Sequence, residues 1–161
     1  MSKAKWILLA EDDPHDADLA QRVLADTFSP VEVVVVTDGV EALNCLYRRD
    51  AFASRDTKLP SLVLLDLKMP LMDGFDVLRQ IKGDVQLRAI PTTVFSSSRE
   101  PVDVIRAYEL GANAYVVKPL DFQEFLDALQ EIKRFWIDIN EAVPGKTLSR
   151  TATATLMTTH R

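Results

Sequence analysis

The stretch that decides the fold is LVLLDLKMPLMDG, which occupies residues 62–74. Its first four residues are apolar, and the run lies between Pro60 and Pro70. This pattern is typical of a strand buried on both faces of a parallel sheet. Asp66 follows the run directly, so it lies at the carboxyl end of the predicted strand. In open parallel sheets that end faces the crevice where ligands bind. We therefore expect the Asp66 carboxylate to meet a metal ion or a phosphate.

Outward from this strand, short apolar runs alternate with stretches of helical period. Helix starts are indicated by Asp13-Pro14 and by Asp121. The last predicted helix is the longest, with an apolar stripe that reaches Ile139. Five alternations favour right-handed βαβ units, so we predict an α/β fold with one parallel sheet and helices on both faces. The predicted strands cover residues 6–10, 31–36, 62–65, 92–95 and 114–117.

Length and composition indicate one globular domain. The 161 residues carry a net charge of −5, which argues against nonspecific nucleic-acid binding because phosphate neutralisation needs a basic face. The apolar stretch near the start is five residues long. This is too short for a signal peptide or a membrane span, so we expect no membrane association and a cytoplasmic location. The domain is expected to cover residues 1–143, and residues 144–161, rich in Thr and Ala, are expected to be disordered.

Polar groups suited to phosphoryl chemistry follow four of the predicted strands. Acids bind a hard divalent cation through oxygen, and a central carboxylate can attack phosphorus. A hydroxyl can donate to phosphoryl oxygens, and an ammonium can neutralise the developing charge. Each residue alone could be purely structural. Their joint placement at strand ends predicts that Asp66 accepts a phosphoryl group. In chain order the groups are Glu11-Asp12, Asp66, Ser96 and Lys118.

Four motifs carry a resemblance to a known family. They read ILLAEDD, VLLDLKMPLMDG, IPTTVFSSS and GANAYVVKP, and the match runs from about Lys5 to about Trp136. In this pattern the chain resembles the receiver domains of response regulators in two-component signalling. The resemblance implies a flavodoxin-like, doubly wound five-stranded sheet of order 2-1-3-4-5. It also implies a phosphoacceptor that takes phosphate from the phosphohistidine of a sensor histidine kinase.

The resemblance implies a magnesium site as well. Mg²⁺ would be held by Asp12, Asp66 and the backbone carbonyl of Lys68, and Glu11 would complete the acidic pocket through water. The domain would catalyse phosphorylation of its own Asp66 and would lose the phosphate slowly. We therefore do not expect an enzyme that acts on a separate substrate.

The resemblance further implies how the phosphoryl group is recognised. Ser96 and Lys118 would contact it, and a cis peptide bond between Lys118 and Pro119 would aim the lysine inward. New hydrogen bonds to Ser96 would pull the loop after the fourth strand inward. Tyr115 matches the family's switch aromatic. Its ring would either move inward with that loop or remain a half-buried strand residue.

The end of the last predicted helix indicates output through protein contacts. About two dozen residues follow Trp136, too few for a helix-turn-helix unit, so we expect no DNA-binding output. Phe135 and Ile137 fall beside the apolar stripe that contains Trp136, which makes the helix apolar over a wide arc. We predict a homodimer through this fifth-helix face, with Phe135, Trp136 and Ile137 as its contacts. The alternative is local packing of the segment onto its own domain.

Weaker markers favour one group of receivers. They are the polar segment RRDAFASRDTKLP, the stretch IKGDVQLRAIPTTVFSSS, and a late FW pair followed by a proline. These resemble stand-alone receivers that are paired with bacterial, especially cyanobacterial, phytochrome kinases. A phytochrome-type kinase is therefore the expected partner.

Three other functions fit parts of the pattern. A flavin-binding electron carrier shares the strand order, but its first loop needs donors for a phosphate where this chain has three acids. An aspartyl-phosphate hydrolase uses the same nucleophile, but such enzymes commonly have a second acid two residues later, where this chain has Lys68. An inactive scaffold receiver is the third, although every position needed for phosphorylation is filled.

Overall fold

The structure is a computed structural model that describes residues 5–26 and 29–144. Apart from Pro144, the predicted tail of residues 144–161 lies outside the described residues. The bounds of the elements are β1 Trp6–Ala10, α1 Pro14–Leu24, β2 Glu32–Val36, α2 Gly39–Tyr47, a short 3-10 helix Asp50–Phe52, β3 Leu62–Leu65, α3 Gly74–Gly83, β4 Thr92–Ser96, α4 Pro101–Glu109, β5 Ala114–Val117, α5 Phe122–Lys133 and a π-helical segment Arg134–Ile139.

The five strands form a parallel sheet in the order β2-β1-β3-β4-β5. This confirms the predicted fold class and strand order. Every residue of β1 and β3, in the middle of the sheet, is buried, whereas the edge strands β2 and β5 keep partly exposed residues. Among the described residues, no helix has both the length and the apolar character that a membrane crossing needs.

Successive strand residues point to opposite faces of the sheet and so build two hydrophobic cores. The first core lies under α2, α3 and α4, and the second lies under α1 and α5. On β1, Leu8 belongs to the first core and Leu9 to the second. On β3, Leu65 belongs to the first core and Leu64 to the second, and neither has any exposed surface. The strand is therefore fixed from both sides directly before Asp66.

Aspartates cap the helices that follow four of the strands. Asp13, Asp38, Asp73 and Asp121 each accept a hydrogen bond from the backbone N–H three residues later. Such a cap typically contributes about 1 kcal/mol to stability. All four lie in loops that leave the carboxyl ends of strands, so they fix the paths of the loops around the predicted site.

The long helix predicted after β5 is divided in the structure. α5 ends at Lys133, and the following six residues form the π-helical segment Arg134–Ile139. A π-helix has more residues per turn than an α-helix because its hydrogen bonds span five residues. Ile137 rather than Trp136 therefore falls in line with Ile132. Ile137 is 4% exposed and belongs to the second core. Its side chain is therefore not available for the predicted dimer contact.

Polar contacts hold the π-helical segment on the domain. Lys5 Nζ donates to the Ile137 carbonyl at 2.6 Å, and Ser29 Oγ donates to Asp138 Oδ1 at 2.7 Å. Local packing onto the domain, the alternative to a dimer in the sequence analysis, is thus observed for Ile137 and Asp138. Phe135 points outward and remains 47% exposed.

Lys82 ties the end of α3 to the loops before β4 and β5. Its Nζ donates to the carbonyls of Arg88 and Ile90 and to Asn113 Oδ1, at 2.8 to 3.0 Å. These three acceptors carry no charge, and burial lowers the pKa of Lys82 from 10.5 to about 8. The folded protein therefore releases the Lys82 proton at a lower pH than the unfolded chain does.

We expect the wild-type protein to gain stability relative to Lys82→Met as the pH rises from about 7.5 to about 9.5. Between the two pKa values the unfolded chain binds more protons at Lys82 than the folded protein, so the free energy of unfolding rises with pH. The gain should be roughly 1 kcal/mol. Urea unfolding of both proteins at several pH values measures it, and parallel pH profiles would contradict it.

Candidate functional site

The site lies where the central strands end. The backbone ladder continues one residue beyond β1 and β3. Glu11 N–H donates to the Val36 carbonyl at 2.9 Å, and Asp66 N–H donates to the Ala10 carbonyl at 3.0 Å. Strand pairing, rather than a long loop, therefore sets the positions of both acids at one edge of the sheet.

Three carboxylates meet at this edge. One oxygen from each of Glu11, Asp12 and Asp66 lies within 4.8 Å of the other two. Glu11 and Asp66 are buried, whereas Asp12 is open to solvent, and Lys68 follows in the exposed turn after β3. Oxygen donors at this spacing suit a hard divalent cation such as Mg²⁺ or Mn²⁺. The donor set therefore fits the cation that the sequence predicts.

The ionisation of Glu11 points the same way. Burial raises the pKa of the Glu11 carboxyl above its usual range, its ion pair with Lys118 opposes this effect, and the neighbouring Asp66 raises the pKa further. These directions of the pKa shifts are those expected for a carboxyl group in a low-dielectric crevice beside one cation and one anion. Additional positive charge at this place would favour the ionised form, which agrees with a cation site.

Lys118 supplies positive charge to the site. Its backbone N–H donates to the Ser96 carbonyl at 2.7 Å, and its side chain is buried. The ammonium forms ion pairs with Glu11, with Asp16 at 3.0 Å and with Asp66 at 3.4 Å. Burial alone would lower the pKa of Lys118, but the neighbouring acids, Glu11 above all, raise it above its ordinary range. Lys118 therefore remains charged beside Asp66.

The peptide bond before Pro119 differs from the prediction. The described residues contain no cis peptide bond, so Lys118–Pro119 is trans, and the predicted cis bond is wrong for this structure. Lys118 reaches Asp66 without it. The pairing of β4 with β5 and the ion pairs with Glu11 and Asp16 direct the side chain instead.

Ser96 and Tyr115 are linked through the loop after β4. Ser96 ends that strand and is buried, and its Oγ accepts a hydrogen bond from the Ser98 backbone N–H at 3.2 Å. Tyr115, which is half-buried on β5, donates its hydroxyl proton to the Ser98 carbonyl at 2.9 Å. A movement of this loop would therefore affect both side chains.

The turn between Asp66 and α3 packs closely on its own backbone. Gly74 N–H donates to the Leu67 carbonyl at 2.8 Å. A Cβ added to Gly74 would lie 2.2 Å from the backbone oxygen of Asp66. Leu71, at the tip of the turn, has a φ of 66°, in the left-handed region that residues with a Cβ rarely adopt. This turn therefore has little freedom, and it holds the Asp66 backbone in place.

Comparison with known proteins agrees with this geometry. The family model described as the response regulator receiver domain matches residues 7–130, which include every predicted polar residue of the site. The chain belongs to the response-regulator receiver family. Receiver domains bind a divalent metal at an acidic pocket, are generally not enzymes in the classical sense, and imply a histidine kinase as partner.

This receiver is similar to phytochrome response regulators. Response regulator Rcp1 of Synechocystis sp. is 35% identical over 134 residues, which cover 83% of this chain and 90% of Rcp1. The crystal structure of the phosphorylated cyanobacterial phytochrome response regulator RcpA has a TM-score of 0.82 and 36% identity, and the match covers 87% of this chain and 99% of RcpA. A Mn²⁺-bound structure of Rcp1 has a TM-score of 0.81 and 34% identity, over 86% of this chain and 99% of Rcp1.

One contact of this receiver does not follow from the sequence prediction. Asp16, in the first turn of α1, pairs with Lys118. An acid in a first helical turn is ordinarily explained by the helix dipole. The presence of an aspartate at position 16 therefore does not by itself indicate a site residue. The feature of the sequence that could have indicated a role in the site is the position of Asp16 one helical turn after the acidic cluster. The predicted polar groups all lie at the strand ends that form the site, namely Glu11, Asp12, Asp66, Ser96 and Lys118.

Proposed function

We propose that this chain is a stand-alone response regulator that accepts a phosphoryl group on Asp66 from the phosphohistidine of a sensor histidine kinase. The observation that carries the proposal is the surroundings of Asp66. Lys118 Nζ lies 3.4 Å from its carboxylate, and Glu11 and Asp12 complete the acidic cluster. Residues 1–143 would form the single receiver domain. In support, the matches cover 90% of Rcp1 and 99% of RcpA.

The divalent cation would be Mg²⁺. Asp12, Asp66 and the backbone carbonyl of Lys68 would hold it, with Glu11 acting through water. When bound, the cation supplies positive charge that neutralises phosphoryl oxygens. The oxygen-only donor set supports a hard cation over a metal that prefers nitrogen or sulfur ligands.

Asp66 and the residues around it then have defined tasks in phosphoryl transfer. A carboxylate oxygen of Asp66 attacks phosphorus, a P–O bond forms, and the P–N bond to the donor histidine breaks. Lys118 neutralises charge on the phosphoryl oxygens, and the Ser96 hydroxyl donates a hydrogen bond to one of them. The receiver would thus catalyse its own phosphorylation and slow dephosphorylation without turning over a separate substrate.

Incubation with acetyl phosphate and Mg²⁺ tests this function. We expect the intact mass to increase by one phosphoryl group. Hydroxylamine should remove the group because an aspartyl phosphate is an acyl phosphate, and EDTA should prevent its formation. A wild-type protein that takes up no phosphate under these conditions would point to the inactive scaffold instead.

We further propose a phytochrome-type histidine kinase as the donor. The support is the similarity to RcpA, which is described as a cyanobacterial phytochrome response regulator, and the three sequence markers given above. An autophosphorylated phytochrome kinase should pass its phosphate to this receiver much faster than a histidine kinase of another class does. Equal transfer rates from both kinases would contradict this partner.

The phosphoryl signal would travel through Ser96 and Tyr115. Both side chains form hydrogen bonds to Ser98, so an inward movement of this residue would break or redirect the Tyr115 hydrogen bond. Crystal structures with and without beryllofluoride, a phosphoryl mimic, should show the Tyr115 ring in two positions. A ring that stays in place would leave Tyr115 with a structural role in β5.

The output would include a homodimer through the α5 face. Phe135 is 47% exposed and meets Trp136 edge to face, with 4.8 Å between ring centroids. Ile139, at the end of the same segment, is 59% exposed. Large apolar side chains exposed together favour burial against a partner. The proposed contact therefore consists of Phe135, Trp136 and Ile139.

Phe135→Glu should weaken this dimer at least about tenfold, because a charge would have to be buried in an apolar contact. Sedimentation of the wild type and the variant at micromolar concentrations measures the change. Gln21→Glu is the matched control, since it adds the same charge on an exposed position of α1. A wild type that sediments as a monomer with and without beryllofluoride would contradict the dimer.

A further inference from the structure

The Lys118 ammonium is fully engaged before any phosphate arrives. It has three N–H donors, and three carboxylates accept from it: Glu11, Asp16 and Asp66. The distance to Asp16 is 3.0 Å, which is shorter than the 3.4 Å to Asp66. Phosphorylation turns the Asp66 carboxylate into an acyl phosphate and frees only its own 3.4 Å contact. The shorter ion pairs with Glu11 and Asp16 still hold the ammonium, so Lys118 can move fully onto a phosphoryl oxygen only if one of these two acids gives its donor up.

Glu11 and Asp16 differ in how easily they can be released from Lys118. The side chain of Glu11 is 4% exposed, whereas that of Asp16 is 27% exposed. A buried carboxylate that loses its cation pays a large desolvation penalty. Asp16 also lines an open cleft of about 360 Å³, together with His15 and Ser97, so water can replace its lost partner. Asp16 is thus the acid that can be exchanged.

We propose that Asp16 is a positioning residue that competes with the phosphoryl group for Lys118. In the free protein it holds the ammonium on the α1 side of the crevice. When Asp66 carries the phosphoryl group, the ion pair between Asp16 and Lys118 is exchanged for a contact between Lys118 and a phosphoryl oxygen. Asp16 itself undergoes no covalent change. The inference rests on the proposed function of Asp66, and it implies that Asp16 weakens the phosphorylated state.

The same helix offers a matched control for this effect. Asp18 lies two residues further along α1, is 57% exposed and pairs with Arg22 at 3.1 Å. Asp18→Asn removes the same charge from the same helix and leaves the partners of Lys118 in place. A general effect of negative charge on α1 would therefore appear in both variants, whereas an effect through Lys118 would appear in Asp16→Asn alone.

Binding of beryllofluoride in the presence of Mg²⁺ tests the proposal. We expect Asp16→Asn to bind about three- to fivefold more tightly than the wild type, the gain expected from a partly exposed ion pair. Asp18→Asn should bind as the wild type does, and Asp16→Glu, which keeps the charge, should stay close to it. Unchanged or weaker binding by Asp16→Asn, or an equal gain in Asp18→Asn, would overturn the proposal.

The Lys118 ammonium resonance in NMR spectra provides a second readout. A purely structural role of Asp16 would not produce the pattern expected here. The resonance should differ between the wild type and Asp16→Asn in the free proteins and coincide once beryllofluoride is bound. A difference that persists in the bound proteins would show that Asp16 is not released, and would overturn the exchange. A wild type that binds no beryllofluoride would overturn the proposed function itself, whereas binding without a difference among variants overturns this inference alone.

Discussion

Asp66→Asn should abolish phosphorylation by acetyl phosphate completely. A carboxamide is not a useful nucleophile at neutral pH, whereas the carboxylate attacks phosphorus directly. Asn has nearly the same shape as Asp, so the backbone hydrogen bond from residue 66 to the Ala10 carbonyl should persist. The variant should also be at least as stable as the wild type, because it removes one of the three acids that repel one another at the site.

The control for this experiment is Asp76→Asn. Asp76 lies on α3 and pairs with Arg79 at 2.9 Å, and its side chain is 46% exposed. It should take up phosphate as the wild type does. Intact mass gives the extent of phosphorylation, and thermal unfolding shows that both variants are folded. An adduct that persists in Asp66→Asn and resists hydroxylamine would place the phosphate on a hydroxyl group, with Ser96 as the nearest candidate at the strand ends.

Gly74→Ala should damage both the fold and the site. The added Cβ would lie 2.2 Å from the backbone oxygen of Asp66 and 2.7 Å from the Cα of Leu67. Both neighbours are backbone atoms, so no side chain can move aside, and the turn itself has to shift. We expect a loss of about 3 kcal/mol in the free energy of unfolding. Because the shift reaches Asp66, phosphorylation should slow at least about tenfold in the protein that remains folded.

Gly83→Ala is the matched control. Gly83 is the last residue of α3, and an added Cβ there would meet no atom within 4 Å. Alanine in a helix is favoured over glycine by up to about 1 kcal/mol, so this variant should be as stable as the wild type or more stable. Urea unfolding and acetyl phosphate kinetics compare the two variants. Similar losses in both would show that the close approach of Gly74 to Asp66 is unimportant.

The sequence predicts the sheet well because its signals are local. β1, β3 and β5 have the predicted bounds, since each is an apolar run that stops abruptly at a charged residue. Buried strands of a parallel sheet have to be apolar on both faces, and their carboxyl ends meet at one edge. The predicted positions of Glu11, Asp66 and Lys118 follow from these two facts together with the resemblance to receivers.

The features that the sequence does not predict depend on contacts between distant segments. The change to π-helical geometry after Lys133 places Ile137 in the second core, and no local pattern marks it. The position of Lys82 depends on carbonyls that the α3–β4 loop turns toward it and on Asn113. Likewise, Asp16 becomes a partner of Lys118 because α1 packs against α5, the helix that follows Lys118, although the two residues are far apart along the chain.

The second hydrophobic core includes residues beyond the family match. The family match ends at residue 130, but Ile132 and Ile137 lie beyond it and fill the second core. The Ile137 carbonyl also accepts from Lys5 Nζ, so the π-helical segment is tied to the residue that directly precedes β1. A chain shortened to residue 130 would therefore lose two core side chains and the hydrogen bond that holds Lys5, directly before β1.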